Sequence, residues 1–122
     1  MTKEELKNRT KKFALNVFKF LMSLENCKAV DVVSFQLFKS SPSVAANYRA
    51  VCRGKSNADF LNKLKIVDEE ADESLFWLEF IKRLEIKCDN VELEKLIKEA
   101  DELVAIFSAG IKTIKEKNNI KN

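Results

Sequence analysis

The chain has 122 residues, 46% of them apolar and 34% charged, with two glycines, one proline and no histidine. That length suits one domain with its own core, and the composition excludes both a turn-rich sheet protein and a disordered segment. No apolar run is long enough to cross a bilayer, and the charged opening MTKEELKNRTKK lacks the apolar region of a secretory signal. A cytoplasmic location is therefore expected. Cys27, Cys52 and Cys88 are odd in number and lack metal-type spacing, so free thiols, no metal site and no cofactor are expected.

Apolar residues at alternating spacings of four and three mark four helices. The first, about residues 3–24, carries Leu6, Thr10, Phe13, Val17, Phe20 and Leu24, with Thr2 as N-cap and Glu5 in the capping-box position. The second, about 31–53, carries Val33, Leu37, Ser40, Val44, Asn47 and Val51, interrupted by Pro42. Proline removes one helical donor and clashes with the preceding turn, so a kink or a break is expected there. The third, about 57–86, carries Phe60, Leu64, Val67, Ala71, Ser74, Leu78 and Ile81 behind Ser56 and Asp59. The fourth, about 90–117, carries Leu93, Ile97, Ala100, Val104, Phe107, Ile111 and Ile114 behind Asp89 and Glu92. Short connections favour antiparallel neighbours, and the expected architecture is all-α, a single antiparallel up-and-down four-helix bundle.

Helix two is unusual because Ser40 and Asn47 fall in register with its apolar seam. Gln36 and Ser43 lie one turn before them and extend a polar ribbon along the inner side. Folding the chain back about Lys55 places Ser40 opposite Glu70, and Gln36 opposite Glu73 or Ser74. Two roles fit such a layer: groups that satisfy one another and fix register, or a small polar pocket with Glu70 or Glu73 as acid or base. The first is favoured, since bundle catalysis ordinarily uses histidines or paired ligands, which the chain lacks.

The stretch QLFKSSPSVAANYRAVCRGKSNADFLNKLKIVDEEADESLFWLEFI, residues 36–81, resembles the core signature of the four helix bundle proteins first noticed as reading frames in intervening sequences of bacterial 23S ribosomal RNA genes. The matching positions include Gln36, Leu37, Ser40 to Val44, Ala46, Asn47, Tyr48, Arg49, Arg53, Ser56, Phe60, Leu64, and the EEADES and WLE runs. The resemblance implies a four-helix bundle and a ring of five subunits, and it does not imply a ribosomal function. The family is also similar to the accessory proteins of diversity-generating retroelements, pentameric basic barrels that associate with a reverse transcriptase and nucleic acid. Pro42 stands where relatives have another small residue. Ala50 stands where an acidic residue commonly follows the Tyr-Arg pair, which removes a partner for Arg49 or Arg53.

Helix two is apolar on more than one side, with Val32, Phe35, Phe38, Ala45 and Tyr48 off its inner seam, and helix three adds Phe76, Trp77 and Phe80. Such a surplus fits either a subunit interface or a broader core. Charge is also uneven. One end of the bundle collects the start of helix one, the loop between helices two and three, and the C-terminal lysines through Lys121. It holds fourteen basic against four acidic residues, a net of +10, and the remainder holds eight basic against fifteen acidic, a net of −7. In a parallel ring those ends would form one positive rim able to attract phosphate backbones.

Lys7, Lys11, Lys12, Arg49, Arg53 and Lys55 are the candidate nucleic-acid contacts, directed to backbone because no sequence-reading motif is present. The favoured expectation is a non-enzymatic, homo-oligomeric scaffold that binds RNA or DNA, beside a possible protein partner and without a membrane role. A purely protein-binding structural module is the alternative.

Overall fold

In a computed structural model, which describes residues 1–121 and the side chains through Asn118, four helices follow one another: α1 (Lys3–Met22), α2 (Lys28–Val51), α3 (Asn57–Leu84) and α4 (Asn90–Lys121). The starts of α1, α3 and α4 are chemically marked. The Thr2 hydroxyl accepts from the Glu5 backbone N–H at 3.1 Å, while the Glu5 carboxylate accepts from the Thr2 N–H at 3.3 Å. Ser56 accepts from the Asp59 N–H, and Asp89 from the Glu92 N–H, both at 3.1 Å. These caps satisfy donors that the first helical turn leaves unpaired. Helix α3 ends on Glu85, a non-glycine residue held in the left-handed region at φ 55° and ψ 37°.

The helices pack in cyclic order. α2 contacts α1 and α3, α3 contacts α4, and the α1–α4 side is the loosest of the four. Asp68–Ser108 and Lys82–Glu94 set the antiparallel register of α3 on α4, and Phe18 against Phe38, with centroids 4.7 Å apart, sets α1 on α2. The core holds every residue expected from α1, plus Ala14 and Leu21. Phe13, Val17, Leu37, Val44, Val67, Leu78, Leu103 and Phe107 are all but sealed from water, and each large apolar side chain so buried contributes about 1.5–3 kcal/mol.

Three expectations are narrowed or corrected. Of the kink or break expected at Pro42, the break does not occur, since helix α2 runs unbroken through the proline. The adjacent Ser41 hydroxyl donates to the Leu37 carbonyl at 2.8 Å and so finds a partner inside the helix. Second, Asn47 sits half-buried at the margin of α2 while Tyr48 enters the core and packs against Phe107, with centroids 5.7 Å apart. In α4 the shift is one residue the other way, with Leu96 and Leu103 buried and Ile97 and Val104 only partly so, because the buried stripe there runs at spacings of three then four from Leu93. In α2 the 3.6-residue helix drifts by about 20° per heptad against a strict seven-residue repeat, which carries the seam forward from Asn47 to Tyr48. Third, the facing of α2 and α3 is displaced by one turn, as described next.

Candidate nucleic-acid interface

Ser40 and Ser74 are both fully buried, and their hydroxyl oxygens lie 2.9 Å apart. The Ser74 hydroxyl also lies 2.9 Å from the Glu70 carbonyl, to which it donates its single proton. Ser40 is then the donor to Ser74. The partner of Ser40 is thus Ser74 rather than Glu70. Residues 52–56 carry the chain beyond the end of α2 before α3 begins, so the fold-back axis lies further along the chain than Lys55.

The remaining polar residues occupy the outer margin of the α2–α3 junction. Asn47 donates to the Ser43 carbonyl at 2.9 Å and lies 2.8 Å from its hydroxyl, while Gln36 is half-buried and Glu73 exposed. Burial, then the nearby Glu73 charge, raises the Glu70 carboxyl above its ordinary value, and the Ser43 hydroxyl offsets part of that rise. No buried side-chain nitrogen or oxygen lacks a partner among the described residues. The inner part of the layer, Ser40 with Ser74, is buried and paired. The four main grooves of the described surface are lined by neither Glu70 nor Glu73.

The basic end is more open. Arg49 lies where two grooves meet. One, about 570 Å³, runs between α1 and α2 with Lys7 and Lys11 on its rim and Leu15, Phe18 and Pro42 in its floor. The other, about 330 Å³, is lined by Ala46, Arg49, Ala50, Arg53 and Lys63. No carboxylate lines this groove. Arg49 and Arg53 are exposed and form no ion pair among the described residues. Lys7 and Lys63 reach only the weak pairs Lys7–Glu4 at 3.6 Å and Lys63–Asp59 at 3.7 Å. Lys55 is exposed in the adjoining loop.

Not every expected cation joins this cluster. Lys12 lines the α1–α4 groove beside Glu92 and Glu99. Arg9 makes a two-pronged bond to Glu99, at 2.7 and 2.6 Å, and a third contact to Glu102 at 3.0 Å. These carboxylates raise its already high pKa further, so its charge is neutralised within the bundle. Nothing in the spacing of the sequence pointed to that pairing across ninety positions. Lys112, Lys115 and Lys117 are exposed on the last turns of α4, while the side chain of Lys121 lies outside the described residues.

A second feature lies on the outer faces of α2 and α3. Val32 and Phe35 are each 58% exposed, Phe76 53% and Phe80 41%. Phe76 and Phe80 form an edge-on cluster with half-buried Trp77, whose centroid lies 4.9 and 5.5 Å from theirs. The surplus of apolar residues read from the sequence is therefore divided. Tyr48 belongs to the core, Phe38 packs on Phe18, and Trp77 and Ala45 are half-buried, while Val32, Phe35, Phe76 and Phe80 remain on the surface. Among the described residues no group of three or more Cys, Asp or Glu is placed to hold a metal ion, and no helix is long and apolar enough to cross a membrane. The three cysteines are free.

The fold and its surfaces define an antiparallel four-helix bundle with a paired polar junction between α2 and α3 and a cationic end. The chain belongs to the 23S rRNA-intervening sequence protein family, whose pattern it matches over residues 2–109. A crystal structure of a protein of unknown function from the S23 ribosomal protein family of Bacteroides thetaiotaomicron superposes with a TM-score of 0.80 at 30% identity, covering 92% of this chain and 99% of that one. No curated protein matches. Neither the family nor the solved relative carries the name of a catalytic activity.

Proposed function

We propose that the protein is a non-enzymatic, homo-oligomeric scaffold, a ring of five, that holds RNA or DNA by its phosphate backbone at the basic end of the bundle. The observation that carries this reading is the groove of Arg49, Arg53 and Lys63, whose two guanidinium groups have no carboxylate partner among the described residues. Guanidinium groups on a floor of alanine side chains present forked donors to phosphate oxygens. Lys55 and Lys7 extend the same patch, and Lys11 lies at its edge, whereas Lys12 faces acidic residues and contributes least. Repetition around a ring would multiply a modest charge into a strong local potential. Free thiols accord with action in the cytoplasm.

Light scattering for subunit number, combined with titration of single-stranded and structured RNA at two salt concentrations, tests both halves of the proposal. The expected result is a multimeric particle whose affinity falls steeply with salt. A multimer that retains neither nucleic acid at low salt would be a protein-binding structural module instead.

A further inference from the structure

We infer that the groove between α1 and α2 receives the outer face of α3 from a second copy of this chain, so that copies join head to tail. This inference rests on the assembly proposed above and names the two surfaces that would make it.

The two surfaces are complementary in kind. The groove has a basic rim of Lys7, Lys11 and Arg49 and an apolar stretch of Ala14, Leu15 and Phe18, with Glu4 its sole acid. The exposed stripe of α3 carries Glu69 and Glu73, followed by Phe76 and Phe80. Acids precede aromatics on α3, as cations precede apolar residues on α1.

They also match in height along the bundle. Phe18 is level with Phe38, and Ser40 with Ser74, so α1 and α3, both running the same way, can be indexed against each other. On that scale Lys11 is level with Glu69, Leu15 with Glu73 and Phe18 with Phe76. A neighbouring copy with a parallel axis and no axial slip would thus bring Lys11 to Glu69 and Phe18 to Phe76, with Leu15 beside the stem of Glu73 between them. A contact between two different patches closes into a ring when no translation accompanies the rotation, and otherwise grows into a filament. Equal heights are the condition for closure. Exposed aromatics surrounded by charge also serve better at an interface than in water. Lys11 would then belong to the junction between copies, and Arg49 to its edge with the free basic groove.

The test compares the mass, by light scattering across a dilution series, of the wild type, Lys11→Glu, Glu69→Lys, the double charge swap and Phe76→Asp, with helicity checked by circular dichroism. Each single reversal is expected to raise the concentration at half-dissociation at least tenfold, and the double swap to bring it back to within threefold of the wild type. Phe76→Asp is expected to yield the single-chain mass of 14.0 kDa. A wild-type multimer that ignores Phe76→Asp and both reversals overturns this interface and leaves the assembly standing. A double swap as weak as the two reversals combined also overturns it. A wild type that is monomeric at every concentration overturns the assembly and this inference with it.

Discussion

Among the described residues Ser40 and Ser74 form the one buried hydroxyl pair that crosses between helices, and their bond is worth about 0.5–1.5 kcal/mol net. A double-mutant cycle of Ser40→Ala and Ser74→Ala in urea should return a coupling energy of that size. Coupling near zero would mean that each hydroxyl is content with its own helix backbone. The inward position of Ser40 was legible, because it falls in step with Val33, Leu37 and Val44. Its partner was not, because which residues face across a helix pair depends on how far the connecting segment overshoots, and spacing within one helix carries no record of that. Glu70 can be tested by titration. Burial raises its carboxyl above the ordinary 4.5, so the folded chain binds that proton more tightly than the unfolded chain does. Stability should therefore be lost as pH climbs from about 4.5 through the raised value. Glu70→Gln should flatten that decline and gain under about 1 kcal/mol at neutral pH, since the side chain still meets water. Urea midpoints from pH 4 to 8 decide it; an unchanged slope would remove Glu70 from the account.

At the scale of elements, the four helices were readable because each kind of signal agreed: caps at Thr2, Ser56 and Asp89 precede apolar stripes, and all three caps form. What misled was the seven-residue idealisation, which assigned Asn47 and Val104 to seats that Tyr48 and Leu103 occupy. At Pro42 only the break is ruled out. Proline in a helix interior costs about 3 kcal/mol, yet packing of α2 on both neighbours holds the helix through it. Two element ends invite substitution. Glu85 adopts left-handed angles at the end of α3, which cost a side-chain-bearing residue about 1 kcal/mol, so Glu85→Gly should raise stability by roughly that amount. A decrease in the urea midpoint would contradict this. Arg9 spans α1 and α4, the loosest side of the bundle, with a two-pronged bond to Glu99. Arg9→Ala should cost about 1 kcal/mol, and Arg9→Lys should recover only part of it because an ammonium cannot make the fork. Hydrogen exchange in the first turns of α1 should rise in the same order.

For the whole molecule, a net charge of +3 conceals the feature that matters. Acids of α4 neutralise Arg9 and flank Lys12, while Arg49 and Arg53 line one groove and, with Lys55 in the adjoining loop, form no ion pair among the described residues. The end-to-end asymmetry was legible from the order of residues once the helices were taken as antiparallel. Which cations are free was not, because pairing across α1 and α4 joins residues far apart in the chain. Backbone binding by free cations releases counterions, and the logarithm of affinity falls with the logarithm of salt by about 0.7 per phosphate contact on single strands and about 0.9 on duplexes. Replacing Arg49, Arg53 and Lys55 together by glutamine should therefore lower the magnitude of the slope by about 2 to 3 for each engaged subunit. Substituting Lys12 alone should leave it nearly unchanged. The loss should be similar for unrelated RNA sequences, since phosphate contacts carry no sequence information. A triple variant with the wild-type slope would move any nucleic-acid site off this end, and a loss confined to one sequence would mean that bases, not phosphates, are being read.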